Sequence, residues 1–147
     1  MTHLLKSAVA VVAVLALGAC ATYKDTMPAW MPGSSAVSVK LSGAEEVPPV
    51  STQGSGSGSL RLAEDGTITG SVKTTGVQGT MAHIHQGAKG QNGPVIVPLT
   101  KNGDTYSVPE GRKLTAAQMQ AWKAGNLYVN VHTAANKGGE VRGQINP

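Results

Sequence analysis

The sequence contains little of what several enzyme and binding classes require. It has one cysteine, Cys20, and no phenylalanine, and only 3% of its residues are aromatic and 14% charged. A single cysteine cannot form an internal disulfide, a cysteine-based zinc site or an iron–sulfur cluster. No run of Lys or Arg is interleaved with aromatic residues, so the net charge of +4 indicates a mildly cationic surface and no nucleic-acid partner.

The length and the remaining composition favour one small β domain. A chain of 147 residues has room for one core but not for a two-domain kinase, dehydrogenase or synthetase. Its 19 glycines and 8 prolines, together with the low charge, are typical of a turn-rich β protein. A coiled coil and a disordered acidic or basic chain are both excluded by this composition.

The N-terminal segment has the pattern of an export signal. Residues 1–6 are short and basic, and residues 7–17 are an almost unbroken run of Ala, Val and Leu. This run is too short to remain as a membrane-spanning helix, which needs roughly 20 apolar residues. We therefore expect the segment to direct export and then to be removed.

The motif Leu-Gly-Ala-Cys at residues 17–20 resembles the lipobox of bacterial lipoproteins. The resemblance implies that residues 1–19 are the signal peptide and that the Cys20 thiol is acylated. Acyl chains would hold the protein to a membrane, since each buried CH2 contributes about 0.8 kcal/mol. Ala21 follows the cysteine where an Asp would favour the inner membrane, so we expect an outer-membrane lipoprotein facing the periplasm. The alternative is an ordinary secretory signal cut near Ala19 or Ala21.

The rest of the chain divides into a tether and one domain. Residues 20–35 mix Pro, Gly, Ser and polar residues without a helical or strand period and are predicted to be a flexible tether. Residues 36–147 contain repeated period-two alternation, which predicts strands. The predicted strands are residues 37–41, 58–62, 67–73, 80–85, 95–99, 105–108, 127–132 and 140–145.

Turn and helix signals complete the predicted fold. Tight turns are expected at residues 64–66 and 102–104, and residues 48–59, rich in Pro, Gly and Ser, are expected to form a long loop. Residues 115–124 are the one predicted helix, with Thr115 as its N-cap. We therefore predict an all-β Greek-key sandwich or barrel of about eight antiparallel strands with one short helix in a loop.

Three histidines fall on strand positions that face away from the predicted core. His83 and His85 are two residues apart, so their side chains share one face of a strand. In the strand at residues 127–132 the alternate apolar residues must face the core, which places His132 on the opposite face. The same reasoning places Arg142 of the last strand on the outer face.

This arrangement predicts a metal site. Three imidazoles can collect one ion, and a site with imidazole donors alone favours copper or zinc. Such a site keeps an open coordination position, so it could be catalytic. Met81 shares the face of the paired histidines and could be a soft ligand of Cu(I), although an ordinary strand methionine would look the same. The alternative for the histidines is that they are exposed polar residues on a half-buried sheet.

Five motifs, in order, resemble the chordin-type (CHRD) domain. They are Leu-Ser-Gly-Ala-Glu-Glu-Val-Pro-Pro-Val at residues 41–50, Ala-His-Ile-His-Gln-Gly at 82–87, Asn-Gly-Pro-Val at 92–95, Leu-Tyr-Val-Asn-Val-His-Thr at 127–133 and Gly-Gly-Glu-Val-Arg-Gly-Gln at 138–144. The resemblance spans residues 38–145. It implies that residues 36–147 form one CHRD domain of the kind that is widespread in bacterial exported proteins.

The pattern of histidines also resembles copper–zinc superoxide dismutases. That resemblance implies that His83, His85 and His132 are ligands of one copper ion per chain and that Arg142 is a catalytic residue that guides the superoxide anion. No histidine stands where the bridging ligand and the zinc-binding loop would be, so a zinc partner is not expected.

These inferences leave three functional hypotheses open. The first is an exported, lipid-anchored copper-binding domain that dismutates superoxide. The second is a periplasmic copper carrier or buffer that uses the same histidines without turnover. The third is a non-catalytic envelope module whose exposed sheet face binds another protein, of which the sequence gives no identity. Whether the chain is an enzyme stays open at this point.

Overall fold

A computed structural model describes residues 36–147; the predicted signal peptide, Cys20 and the predicted tether lie outside the described residues. The described part has nine strands and one α-helix, α1 (Ala116–Lys123). The strands are β1 (Val37–Ser42), β2 (Ser55–Leu62), β3 (Ile68–Thr75), β4 (Gly79–Gln86), β5 (Val95–Pro98), β6 (Thr100–Asn102), β7 (Thr105–Ser107), β8 (Leu127–Thr133) and β9 (Val141–Ile145). Within residues 36–147 no helix has both the length and the apolar character needed to cross a membrane.

All strands pair antiparallel in one sheet that curls into a nearly closed barrel. The order is β5-β4-β8-β9-β1-β2-β3-β7-β6. Leu99 alone separates β5 from β6, and its N–H donates to the carbonyl of Ala82 in β4 at 3.0 Å. The β5–β6 stretch therefore pairs with β4 along its first half and with β7 along its second half. Counted as one strand, this stretch gives the eight strands that the sequence predicts.

The connectivity is a Greek key, as predicted. Strands β4, β5–β6 and β7 follow one another through the loop of residues 87–94 and a tight turn at residues 103–104, and β8 then returns to pair with β4. A fourth strand that lies beside the first of three consecutive strands is the defining order of this motif. The long return, residues 108–126, contains α1.

The predicted helix is confirmed together with its N-cap. The Thr115 hydroxyl accepts a hydrogen bond from the Gln118 N–H, and the Gln118 side chain accepts one from the Thr115 N–H. This capping box satisfies two backbone donors that a helix start otherwise leaves unpaired. Trp122 is buried against the barrel and fixes the helix in place.

The prediction of a loop over residues 48–59 is wrong for its last five residues, because β2 already begins at Ser55. Gly56 and Gly58 lie on the same face as the buried Leu60 and bring β2 close to its neighbours. A Cβ on Gly58 would lie 2.6 Å from the Cα of Val72 in β3. Here glycine permits close packing of strands, and the alternating serines cover the outer face.

The barrel core and the site lie on opposite faces of β8 and β9. Leu127, Val129 and Val131 of β8 are completely buried in the core with Val141 and Ile145 of β9. Tyr128, Asn130 and His132 of β8 are also buried, although they face away from that core. Loops cover them, so the outer face predicted from alternation is correct but is shielded from solvent.

Candidate metal centre

The structure brings the three histidines of residues 36–147 together across two paired strands. His83 and His85 lie on β4 and His132 on its neighbour β8. One nitrogen from each ring lies within 4.8 Å of the other two, and the group could hold a metal ion. His83 Nδ1 and His132 Nε2 are 3.0 Å apart. Strand pairing, which sequence spacing alone does not give, places the third imidazole against the first two.

Backbone carbonyls fix the tautomers of two of the rings. His85 Nδ1 lies 2.9 Å from the carbonyl oxygen of Gly93, and His132 Nδ1 lies 2.9 Å from that of Lys137. Because a carbonyl oxygen only accepts, each Nδ1 must carry the proton, and each neutral ring has its lone pair on Nε2. Metal-binding histidines are commonly oriented in this way by their second ring nitrogen. His85 and His132 therefore each offer Nε2 to an ion, and Nδ1 is the nitrogen of His83 that lies next to His132 Nε2.

Burial favours the neutral form of His83 and His85. His85 and His132 are only 8% and 9% exposed, while His83 is half-buried and forms the accessible side of the group. Burial, and then repulsion from the other two rings, lowers the pKa of His83. Burial also lowers the pKa of His85, although the Gly93 carbonyl acts in the opposite direction. Neutral rings offer the lone pairs that a metal ion requires.

Arg142 is buried beneath the loop of residues 87–94 and does not line the surface. It is 1% exposed. Its Nη2 donates to the carbonyl oxygens of Gln91 at 2.8 Å and Ala88 at 3.3 Å, and its Nη1 donates to Asn92 Oδ1 at 3.2 Å. The guanidinium thus fastens the loop that carries Gly93. Its predicted role in guiding an anion stays a prediction, and one that this burial does not favour.

Tyr128 connects the arginine to the metal-site histidines. Its ring is stacked on His85, with centroids 4.8 Å apart and planes 9° from parallel, and the Arg142 Cζ lies 3.4 Å from its centroid. Strands β4 and β9 flank β8, so the tyrosine ring lies between the imidazole and the guanidinium. The Tyr128 hydroxyl also accepts a hydrogen bond from the Gly93 N–H at 3.2 Å.

Glu46 is a buried carboxyl near the site to which the sequence pattern gave no role. It is 5% exposed, and burial raises its pKa to about 7, while the charge of Arg142 acts to lower it. It lies beside Gly139, where a Cβ would contact both its Oε1 and the side chain of Asn130. Glu46 belongs to the motif at residues 41–50, but nothing in a single sequence distinguishes it from an exposed glutamate.

Residues that act on the site through their backbone escape prediction from sequence. Gly93 and Lys137 act through backbone carbonyls, which leave no side-chain signal. Met81 was considered as a ligand because it shares the face of His83 and His85. It is 51% exposed and lies opposite His132 in the strand register, and its role as a ligand stays a prediction.

Comparison with known proteins gave one match, to a family model. A search of curated proteins and a search of solved structures gave no match. The family model of the CHRD domain matches residues 37–145, from the first residue of β1 to the last residue of β9. The match contains every strand, both histidine-bearing strands and the loops that cover them. The chain therefore belongs to the CHRD domain family.

Proposed function

We propose that this CHRD domain binds one copper ion through His83, His85 and His132. The observation that carries the proposal is the convergence of three imidazoles whose donor nitrogens lie within 4.8 Å of one another. Two of the rings are held by backbone carbonyls before any ion binds. A site organised in this way loses little conformational entropy on binding, which strengthens affinity.

The donor set favours copper over the other common divalent ions. Imidazole nitrogen suits copper, zinc, iron and nickel, and a given nitrogen site binds Cu(II) more tightly than the other first-row divalent ions. No cysteine or carboxylate belongs to the three-residue group found within residues 36–147. Zinc is expected to bind more weakly and to be displaced by Cu(II).

The activity proposed for the copper-loaded domain is dismutation of superoxide, in which bound copper would supply one-electron exchange. Half-exposed His83 leaves one side of the group accessible to a small anion. His85 and His132 are held from behind by Gly93 and Lys137, so their rings keep their positions while the charge at the site changes.

A copper carrier or buffer is the second candidate, and the burial of Arg142 favours it. An anion guide needs a cation that faces the approach path, whereas this guanidinium donates to loop oxygens. Without a guide the domain could store or deliver copper with little turnover. Both candidate functions include export of the protein and its anchoring, through an acylated Cys20, at the periplasmic face of the outer membrane.

Copper titration of the purified full-length protein tests metal binding. The wild-type protein should take up about one Cu(II) per chain, and replacing His83, His85 and His132 together by alanine should abolish tight uptake. Gln86→Ala, at the next position on β4, is the matched control and should bind as wild type does. Equal binding by the triple variant would refute the proposal and leave the envelope-interaction module as the better hypothesis.

Superoxide loss, measured with copper-loaded and copper-free protein, separates the enzyme from the carrier. An enzyme should remove superoxide much faster when loaded, and the triple histidine variant should not. A loaded protein that is no faster than its copper-free form would reject dismutation and support the carrier. For the anchor, Cys20→Ser should release the protein from the membrane fraction, and a variant that stays membrane-bound would contradict lipidation at this residue.

A further inference from the structure

Two buried polar atoms beside the histidine group have no hydrogen-bond partner among the described residues. They are Nε2 of His85 and Oδ1 of Asn130. Asn130 is only 3% exposed. A buried polar atom without a partner costs on the order of 1–3 kcal/mol, so such an atom in a folded protein calls for an explanation such as a bound ion.

The position of Asn130 places its amide among the three imidazoles. It lies opposite His83 in the pairing of β4 with β8 and two residues before His132, so it shares their face. Its Nδ2 donates to the carbonyl oxygen of Gly138 at 3.2 Å, so Oδ1 points away from that carbonyl. The side chain also lies beside the His85 ring.

The two unpartnered atoms are both electron-pair donors. His85 directs its Nδ1 proton to Gly93, so its Nε2 carries only a lone pair. The Asn130 oxygen likewise can only accept. Two acceptors held near each other in a buried space repel, and a cation between them would turn that repulsion into attraction.

We propose that Asn130 Oδ1 is a fourth ligand of the metal ion held by His83, His85 and His132. The inference rests on the proposed metal site and adds an oxygen donor to its three nitrogens. Amide oxygen is a harder donor than imidazole, so it favours Cu(II) over the softer Cu(I). The site would accordingly hold the oxidised ion more firmly than three imidazoles alone.

Gly139 provides the space that this amide needs. A Cβ at this position would lie 2.7 Å from Asn130 Nδ2, and the backbone φ of 134° is one that residues with a side chain rarely adopt. A residue with no side chain therefore leaves the amide free to keep Nδ2 on Gly138 and Oδ1 towards the histidines.

Cu(II) titration and electron paramagnetic resonance of the full-length protein test the assignment. Asn130→Leu removes the oxygen at similar volume and should keep one Cu(II) per chain, lower the affinity about 10- to 100-fold and alter the copper spectrum. Asn130→Asp keeps an oxygen and should bind at least as tightly as wild type. Gln120→Leu is the matched control, because it removes an exposed amide from α1, away from the strands that carry the histidines. It should leave affinity and spectrum unchanged.

The assignment is overturned if Asn130→Leu binds Cu(II) with wild-type affinity and spectrum. If this variant does not fold, a crystal structure of the copper-loaded wild-type protein decides, with Oδ1 expected roughly 2.0–2.2 Å from the ion. An oxygen well beyond that range would also overturn it. If the triple histidine variant loses tight copper uptake while Asn130→Leu keeps wild-type affinity, this ligand alone is rejected, whereas wild-type uptake by the triple variant rejects the metal site itself.

Discussion

Replacing Arg142 by methionine should destabilise the domain and loosen the metal site at the same time. The substitution keeps an unbranched apolar stem but removes the guanidinium. The guanidinium donates hydrogen bonds to Gln91, Ala88 and Asn92 in the covering loop, and its Cζ lies 3.4 Å from the centre of the Tyr128 ring. The substitution therefore removes the contacts that stabilise both the covering loop and the Tyr128 ring.

The expected loss of unfolding free energy follows from these contacts. Two hydrogen bonds from a charged donor, at 2.8 and 3.2 Å, contribute about 1.5 kcal/mol or more each. A desolvated cation over an aromatic ring adds on the order of 1–2 kcal/mol. Removing a buried charge offsets part of this sum, because burying that charge is itself costly. We expect a net loss of about 3 kcal/mol.

Urea denaturation of the copper-free protein and Cu(II) titration measure the two consequences. Arg142→Met should unfold at clearly lower urea and bind copper more weakly, because Gly93, which orients His85, lies in the released loop. Arg112→Met is the matched control: its guanidinium also donates to a carbonyl, that of Ile96, but is exposed, so the loss should be about 0.5 kcal/mol. A loss below about 1 kcal/mol for Arg142→Met with unchanged copper affinity would refute the reasoning.

Three further substitutions test other parts of the structure. Glu46 has a folded-state pKa of about 7 against 4.5 for an ordinary glutamate, so its contribution to the unfolding free energy should fall by up to about 3 kcal/mol as pH rises from 4.5 to 7. Glu46→Gln should remove that fall, and parallel pH curves for both proteins would contradict it. Gly139→Ala should lower thermal stability and copper affinity together, because its Cβ would contact Glu46 and Asn130. Thr115→Ala should cost about 1 kcal/mol in urea denaturation with copper affinity unchanged, and a fall in that affinity would show that the helix supports the site.

Alternation along the strands was enough to predict the faces of the barrel. In β8 the apolar residues Val129 and Val131 leave Asn130 and His132 only the other side, and the structure has them there. The helix and its Thr115 cap were likewise predictable, since capping depends on neighbouring residues. Such local rules need no knowledge of the rest of the chain.

What the sequence could not show depends on contacts between distant segments. The loop over Arg142 is held by hydrogen bonds between residues up to 54 positions apart. The carbonyl groups behind His85 and His132 are backbone atoms, which every residue has. The glycines of β2 looked like a flexible loop because their close approach to β3 is visible only once the strands are paired. Burial of Glu46 is hidden for the same reason.

The way the barrel closes limits how another protein could attach to it. The sheet ends in β5 and β6, of only four and three residues, and the Arg112 side chain donates to the Ile96 carbonyl in the first of them. Lys101 is exposed on the second. Short edges that carry charged side chains resist the addition of a foreign strand. If the domain is crowded with its neighbours at a membrane, this design protects it from edge-to-edge aggregation, and partners would bind through loops or the serine-rich outer face of β2.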